Sequence, residues 1–360
     1  MQNQGLLFIP DISGFTRFVN EIEIGHSRFI IQQLLEVLIN ANEMGLEISE
    51  IEGDAILFYK FGDPVELEKI YQQVETMFRT FHQYLVSYDQ RKICQCKACI
   101  SAAGLTLKVI THYGEYTSMN VKNFSKLIGK DVILAHQLLK NDIPQHEYWL
   151  VTENVAENMQ PATFAQWMQW QQSVKQTEQG KVTFYYTLLT PLKEAIPKHP
   201  PVQIDLSQKT KMVSITRPYA FEIKRLVYTV VHLDLRHLWF VGTAAVDEVE
   251  HFLPGVGTRH RHVLTNGKTI TKSISSFVYD PEGQTIISET DEKTGTTIHF
   301  LMEKTGEYTS RLTMELYIDK NILTEVMFKL AEKKKVEEEF HTSVEQLDKV
   351  ARETVIPLEF

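Results

Sequence analysis

A proline-containing segment divides the chain into two halves whose residue patterns differ. The stretch AIPKHPPVQIDLSQ places Pro197, Pro200 and Pro201 close together, which is typical of a stiff, extended linker. At about 150 residues per domain, 360 residues favour two domains. We therefore predict a first domain over residues 1–191, a linker over 192–208 and a second domain over 209–360.

The first domain alternates between strand-like and helical patterns. Short apolar runs and period-2 alternation predict strands, and apolar residues at spacings of three and four predict helices. In chain order we expect a strand at 6–9, a helix at 15–42, a hairpin turning at 52–54, a helix at 64–86, a strand at 108–112, a helix at 130–140 and a strand at 148–152. This β-α-β-β-α-β order predicts a ferredoxin-like sheet.

The second domain has the pattern of an antiparallel meander that ends in one helix. Turn signals such as Asn266-Gly267 and Lys304-Thr305-Gly306 separate runs rich in Val, Ile, Thr, Tyr and Phe. We expect strands at 258–265, 269–278, 284–290, 297–303 and 308–318, then one long helix over about 321–352. The fold class is therefore α+β in both halves.

Charge and cysteine usage exclude several classes of protein. The chain carries 37 Lys and Arg against 46 Asp and Glu, a net charge of −9, which argues against a generic nucleic-acid binder. No apolar run reaches the roughly 20 residues of a membrane span, and no secretory signal is visible at the start. Three cysteines within six residues are not a secreted disulfide framework. We expect a cytoplasmic protein.

Two aspartates of the first domain lie where strands end. Asp11 follows the first strand, and Asp54 lies in the hairpin turn Glu52-Gly53-Asp54. If their strands are neighbours, both carboxylates project from one end of the sheet, and two carboxylates with phosphate oxygens are a usual way to hold Mg²⁺. The alternative is that Asp11 caps a helix and Asp54 is an ordinary turn residue.

Five motifs of the first domain resemble the catalytic domain of class III nucleotide cyclases. They occur in that family's order and span about residues 5–188. The motifs are FIPDISGFTRFV, EIEGDAILFYKF, LKVITHYGEY, LIGKDVILAHQL and VTENV. The resemblance implies the ferredoxin-like fold and a purine nucleotide site formed in a homodimer.

The resemblance also implies roles for individual residues. Asp11 and Asp54 match the two metal-binding aspartates, and Glu50 and Lys126 match the purine-reading pair. Lys126 is not the residue expected in a standard ATP or GTP reader, so the base preference stays open. The remaining matches are metal and triphosphate contacts in the first turn: Ile12, Gly14, Phe15 and Thr16.

Two departures from the family pattern concern the reaction itself. Ile133 and Gln137 stand where the family has the Asn that orients the ribose and the Arg that stabilises the transition state. Loss of such a donor typically costs about 10²–10³ in rate. Lys175 and Lys181 are both candidates for a later phosphate-binding Lys. Three functions remain: a regulatory or sensor protein with a degenerate cyclase-like domain, an active Mg²⁺-dependent homodimeric cyclase, and a non-catalytic dimerisation scaffold.

The cysteine run ICQCKACIS is a candidate metal site. Cys94, Cys96 and Cys99 can converge on Zn²⁺, with His82 or His112 as a fourth ligand; an iron–sulfur cluster would also need four ligands. The alternative is a loop of reduced thiols or a redox pair. The run is similar to one in cyclase-like bacterial proteins of unknown function.

The second domain resembles the START-like and polyketide-cyclase-like (SRPBCC) superfamily of helix-grip folds. Trp239 to Gly242 and Gly255 to Thr258 match its loose motifs, and the meander followed by a long helix matches its element order. The resemblance implies an apolar cavity lined by alternate strand residues, with a lipid or another hydrophobic molecule as partner. The alternative is a closed core.

Three histidines of the second domain form a possible polar group. His260 and His262 share one face of a strand, and His251 lies in a neighbouring loop. Two His at this spacing can bind a metal or act as an acid and a base. The alternative interpretation is that they are polar residues at a sheet edge.

Overall fold

A computed structural model describes residues 4–20, 24–122, 124–156, 161–177, 180–197, 203–248 and 255–356. The chain separates into two compact units. The first contains residues 1–87 and 101–198, and the second contains residues 88–100 and 199–360. Among the described residues, no helix combines the length and apolarity that crossing a bilayer requires.

The first unit is built on one large sheet in which neighbouring strands pair antiparallel, except for one parallel pair. Its strands lie in the order β2-β3-β1-β4-β7-β9-β8. The elements are β1 (Gln4–Ser13), α1 (Phe15–Asn20), α2 (Ile24–Asn40), β2 (Glu47–Glu52), β3 (Ala55–Phe61), α3 (Leu67–Arg91), α4 (Lys97–Ser101), β4 (Thr106–Glu115), β5 (Thr117–Val121), β6 (Phe124–Ile128), α5 (Lys130–Leu139), β7 (Tyr148–Thr152), β8 (Gln171–Thr177), β9 (Gly180–Leu188) and α6 (Thr190–Glu194).

The strand pairing has the ferredoxin-like order that the sequence predicts. β1 pairs antiparallel with both β3 and β4, and β2 pairs antiparallel with β3. β7 then adds to β4 in parallel, and β5 and β6 form a separate two-stranded sheet. β1 is buried along almost its whole length, which explains why its sequence is continuously apolar rather than alternating.

The predicted helix over residues 15–42 is wrong in one respect, because the structure has two helices there. α1 ends at Asn20 and α2 begins at Ile24. α2 buries Ile30, Leu34 and Leu38, so these residues of the predicted apolar period face the core.

The second unit is a meander of seven strands with helices packed against it. The strand order β10-β16-β15-β14-β13-β12-β11 is antiparallel throughout. The elements are β10 (Lys209–Tyr219), α7 (Ile223–Val231), α8 (Arg236–Trp239), β11 (Thr243–Glu248), β12 (Arg259–Leu264), β13 (Thr269–Val278), β14 (Gln284–Asp291), β15 (Thr297–Gly306), β16 (Thr309–Asp319), α9 (Ile322–Ala331) and α10 (Lys333–Glu353). The core joins sheet residues such as Phe300 to Leu347 and Ala351 of α10.

The single C-terminal helix predicted over 321–352 is also wrong. The helix is interrupted at Glu332, whose ψ of −27° with φ of −119° lies off the helical minimum, and α9 and α10 result. α10 buries the predicted stripe from Phe340 onward. α9 leaves Leu323 and Leu330 exposed, so only the second half of the periodic pattern faces the core.

Residues 88–100 pack with the second unit, although they precede it by a hundred residues. The backbone N–H of Val256 donates to the Arg91 carbonyl at 2.7 Å, and the Arg91 guanidinium donates to the Val256 carbonyl at 2.8 Å. In the predicted linker, α6 and a short turn at Leu206–Gln208 are ordered. Pro200 and Pro201 lie outside the described residues.

Candidate functional site

The two aspartates predicted to hold a metal lie at the same end of neighbouring strands. Asp11 on β1 is in register with Ala55, the first residue of β3. The backbone N–H of Ile12 donates to the Asp54 carbonyl at 3.0 Å. This hydrogen bond ties the end of β1 to the Glu52–Asp54 turn, so both carboxylates open on one cleft.

The cleft has a volume of about 710 Å³ and a mixed polar and apolar wall. This size lies within the range of small-molecule sites, roughly 300–1,000 Å³. The end of β1 and the hairpin turn form one side, and α5 with the residues after it forms the other. Polar side chains on the wall are those of Asp11, Ser13, Glu52, Asp54, Lys108, His136, Gln137, Lys140 and His146.

Each aspartate is made harder to ionise by its surroundings. Burial raises the pKa of Asp11, and the nearby Lys108 ammonium opposes that rise. Burial, and then the charge of Asp11, raise the pKa of Asp54 to about 6. A cation between two such carboxylates would relieve their repulsion. These hard oxygen donors therefore fit Mg²⁺, which is usually held by one or two carboxylates and phosphate oxygens.

Lys108 is a site residue that sequence reasoning missed. It lies opposite Asp11 in the β1–β4 register, and its Nζ is 3.2 Å from Asp11 Oδ1 and 3.3 Å from the Leu139 carbonyl oxygen. The sequence does show a lysine within an otherwise apolar strand. Its position beside Asp11 depends on the pairing of two strands that lie almost a hundred residues apart in the chain.

The turn after β1 is tight, but the helix that it opens is short. Gly14 has φ of +93°, a conformation that glycine adopts readily, and its carbonyl accepts from the Phe18 N–H at 3.0 Å. α1 has six residues, so it offers less of a helix dipole than the predicted helix to residue 42 would have. The side chain of Thr16 is outside the described part of the structure.

The residues that match a purine-reading pair contact one another. Lys126 Nζ lies 2.5 Å from Glu50 Oε2, and Glu50 keeps only 15% of its side chain exposed. The hydrogen bond from Lys126 to Glu50 raises the pKa of this lysine. His136 of α5 extends the group, with its ring nitrogens 3.8 Å from Glu50 and 3.6 Å from Glu52.

Ile133 and Gln137 lie on the cleft wall of the same chain as the two aspartates. Ile133 is 55% exposed. Gln137 Oε1 is buried and has no hydrogen-bond partner among the described residues. Neither side chain carries the positive charge that would stabilise a phosphate in a transition state.

A buried network holds the start of α5 against β4. His112 contacts Thr152 Oγ1 at 2.8 Å and Asp131 Oδ1 at 3.1 Å, and Asp131 Oδ2 accepts the Glu115 N–H at 2.7 Å. Although burial alone would raise the pKa of Asp131, the His112 and Glu115 hydrogen bonds lower it. Because both ring nitrogens of His112 are engaged, its prediction as a fourth cysteine-site ligand is wrong.

The three cysteines converge in a short segment of the second unit. The Sγ atoms of Cys94, Cys96 and Cys99 lie within 4.8 Å of one another, and no disulfide joins them. Hydrogen bonding from Cys94 and Cys96, together with burial, raises the pKa of Cys99. The other predicted fourth ligand, His82, packs against Phe78 and Phe81 within α3, and burial lowers its pKa to about 3.

The second unit contains a cavity of about 380 Å³ between its sheet and α10. Its apolar wall includes Phe240, Ile270, Ile298 and Phe340. His262 lines it, and both His260 and His262 are fully buried. The interpretation of these histidines as sheet-edge residues is therefore wrong, because β12 lies inside the sheet between β11 and β13. His251 lies outside the described residues.

Comparison with known proteins gives a family of unknown function and a set of cyclase structures. Residues 31–148 match a family model described as a protein of unknown function, DUF2652. The uncharacterized protein Rv2561/Rv2562 of Mycobacterium tuberculosis is 35% identical over 127 residues, which are 35% of this chain and 58% of that protein. The chain thus spans little more than half the length of this relative.

Solved adenylyl and guanylyl cyclases are among the structures similar to the chain. The guanylate cyclase domain of RhGC from Catenaria anguillulae, in complex with GTP, is 15% identical with a TM-score of 0.37; the match covers 52% of this chain and 96% of that one. The adenylyl cyclase CyaB from P. aeruginosa is 18% identical with a TM-score of 0.37, covering 51% and 93%. Both matches cover about half of this chain.

Proposed function

We propose that the first unit binds a purine nucleotide together with Mg²⁺ and acts as a regulatory module rather than an efficient cyclase. The observation that carries this proposal is the placement of Asp11 and Asp54 at one end of β1 and β3, facing a cleft of about 710 Å³. The raised pKa of Asp54, caused first by burial and then by the charge of Asp11, is consistent with it, since a bound cation favours the ionised carboxylate.

In this proposal, different residues contact the metal ion, the phosphates and the base of the nucleotide. Asp11 and Asp54 hold the metal, which neutralises phosphate charge, and the Ile12–Thr16 turn follows the triphosphate. Lys140 supplies a positive charge on the opposite wall. Glu50 and Lys126 face the base; because they already pair at 2.5 Å, a base must compete with this ion pair.

The proposal excludes fast turnover because of Ile133 and Gln137. An exposed apolar side chain and a neutral amide occupy the α5 positions on the cleft wall. Without a guanidinium there, the developing charge on a reacting phosphate has lost its bidentate partner. We extend the proposal to a homodimer, the arrangement that the resemblance implies for this site.

Nucleotide binding is tested by isothermal titration calorimetry with ATP and GTP, with and without Mg²⁺. We expect the affinity for at least one nucleotide to be higher by about tenfold or more with Mg²⁺ than without it. The variant Asp54→Asn should lose this Mg²⁺-dependent gain in affinity. Asp63→Asn, an exposed carboxylate of the same unit, is the matched control. Equal affinity with Mg²⁺ and with a chelator would contradict the proposal, and rapid cyclic nucleotide formation abolished by Asp11→Ala would replace it with an active cyclase.

We also propose that the three cysteines bind Zn²⁺ as thiolates. Three Sγ atoms within 4.8 Å can supply three corners of a tetrahedral site. Metal analysis of the purified protein is expected to give about one zinc per chain in the wild type and much less in Cys96→Ser. If the wild type contains no metal and cannot be reconstituted with zinc, the zinc proposal is wrong and the cysteines are reduced thiols.

For the second unit, we propose a helix-grip domain of the SRPBCC type that binds a hydrophobic molecule. The supporting observation is the cavity of about 380 Å³ between the sheet and α10, with Phe240 and Phe340 on its wall. The chain would then combine a nucleotide-binding module with a ligand-binding one, as in a sensor. Saturable binding of a medium-chain alcohol to the full chain tests this, and no binding would favour a closed core.

A further inference from the structure

An unusual set of ionisable side chains is buried behind the cavity of the second unit. Arg236, His260, His262 and Glu289 are fully buried, and Lys272 is 5% exposed. They come from α8 and from the adjacent strands β12, β13 and β14. Lysine, arginine and glutamate are almost never buried to this degree unless they are paired. Each of these charged side chains is therefore expected to have a partner nearby.

Arg236 and Glu289 form a buried ion pair, although Arg236 Nε and Glu289 Oε1 have no hydrogen-bond partner among the described residues. The guanidinium approaches the two carboxylate oxygens at 2.7 and 3.0 Å, and it also donates to the Val230 carbonyl at 2.8 Å. Although burial alone would raise the pKa of Glu289, the Arg236 charge holds it well below its usual range. The carboxylate charge is therefore already compensated by the charge of Arg236.

Lys272 and the two histidines have no comparable partner. Lys272 Nζ is 3.7 Å from Glu289 Oε2, and His260 Nε2 and His262 Nε2 are 3.8 and 4.0 Å from the same oxygen. All three distances exceed a hydrogen bond. Both Nε2 atoms lack a hydrogen-bond partner within the described part of the chain. Lys272 Nζ and the two ring nitrogens thus surround Glu289 Oε2 at 3.7 to 4.0 Å without a hydrogen bond to it.

Two of these nitrogen-bearing residues reach the cavity. Lys272 and His262 line it together with Phe240 and Ile298. Asp291 also lines it, but its Oδ1 accepts the N–H groups of Lys293 and Thr294 at 2.9 and 2.8 Å. Lys335 and Glu339, also on the wall, form an ion pair of their own at 3.7 Å.

We propose that the cavity binds an amphipathic carboxylate whose oxygens accept hydrogen bonds from Lys272 Nζ and His262 Nε2, while its chain lies against the apolar wall. This inference rests on the proposed ligand-binding function of the second unit and names the chemistry of the head group. A lysine ammonium offers only donors, so it selects an acceptor. A divalent metal on His260, His262 and Glu289 is disfavoured, because Glu289 is engaged by Arg236 and the Lys272 charge lies beside it.

The test compares three probes of equal chain length on the full-length protein at neutral pH. Decanoate, 1-decanol and decylamine differ only in the head group, and binding is measured by titration calorimetry. We expect decanoate to bind about tenfold or more tightly than 1-decanol, since a charge-assisted hydrogen bond is stronger than a neutral one, and decylamine to bind weakest.

The variant Lys272→Met tests the residue, and binding of 1-decanol reports that the cavity is still folded. We expect Lys272→Met to bind 1-decanol as the wild type does and to lose the preference for decanoate. Lys349→Met, an exposed lysine on α10, should retain it. Equal binding of decanoate and 1-decanol overturns the carboxylate assignment but leaves hydrophobic ligand binding intact, whereas no binding of any probe overturns both. Tight binding of zinc alone, lost in His262→Phe, overturns it in favour of a metal site.

Discussion

Lys108 Nζ lies 3.2 Å from Asp11 Oδ1, directly across the β1–β4 ladder. The cleft of the first unit therefore already holds one cation beside its buried carboxylate. A metal ion that binds Asp11 and Asp54 must share this carboxylate with the ammonium group. The affinity of the site for a dication therefore depends on competition between the metal ion and the Lys108 ammonium for the Asp11 carboxylate.

Replacing Lys108 by methionine is expected to strengthen the binding of a metal ion alone. In a measurement at about pH 8, loss of a neighbouring positive charge should tighten Mn²⁺ binding about threefold to tenfold. Electron paramagnetic resonance of free Mn²⁺ measures this without nucleotide. Lys60→Met, exposed on β3, should leave the affinity unchanged; weaker binding in Lys108→Met would show that the lysine is not a competitor.

Asp54→Asn is expected to stabilise the first unit, with a defined pH dependence. The folded-state pKa of about 6 exceeds the ordinary value of 3.8, so between about pH 4 and 6 the folded state binds more protons than the unfolded chain, and stability falls as pH rises through this window. Because the side chain is partly solvated, we expect a gain of only about 1 kcal/mol near pH 8. Urea unfolding should show a smaller gain near pH 5; a gain independent of pH would contradict the assignment.

Gly114→Ala is expected to damage the network that positions α5. A Cβ at this position would lie 2.4 Å from the Asp131 carboxyl carbon, so Asp131 must move and lose its contacts with His112 and Glu115. Loss of buried hydrogen bonds to a charged group suggests a destabilisation of about 2–4 kcal/mol. Gly104→Ala, where a Cβ meets no atom of the described residues within 4 Å, is the control in thermal and urea unfolding. Equal effects of the two substitutions would argue against a steric cause.

Glu289→Gln is expected to destabilise the second unit strongly. The substitution leaves the buried Arg236 and Lys272 charges without a carboxylate, and breaking a buried pair typically costs about 3–5 kcal/mol. Glu292→Gln removes the partner of Arg259 in an exposed pair, for which only a small loss of stability is expected. Denaturant unfolding of the full chain compares the two, and a Glu289→Gln protein as stable as Glu292→Gln would contradict the role of Glu289 as a counter-ion.

Gln137→Arg is expected to strengthen triphosphate binding. The present amide places an unpartnered oxygen at a buried position on the cleft wall, so its removal should cost little. A guanidinium at this position can contact phosphate oxygens bidentately, and we expect about tenfold tighter binding of the Mg²⁺–nucleotide complex by calorimetry. Gln176→Arg, exposed on β8, controls for added charge, and no difference between the two variants would place residue 137 outside the phosphate site.

Local patterns in the sequence sufficed for most elements of both units. The hairpin around Gly53 and the meander strands of the second unit lie close to their predicted positions. Turn chemistry and side-chain period act over a few residues, so a local pattern is enough to predict them. The position of Asp11 at the end of an apolar run likewise depends only on its neighbours in the chain.

Relationships between distant segments required the tertiary structure. Lys108 meets Asp11 through strand register, and the burial of His260 and His262 follows from β12 lying inside a sheet rather than at its edge. α9 and α10 share one apolar period, yet only α10 is covered by the sheet along that stripe. Burial and charge pairing depend on surfaces that come from remote parts of the chain and pack together only in the folded protein. Periodicity therefore identifies the helices and strands but does not show which of them pack or pair with one another.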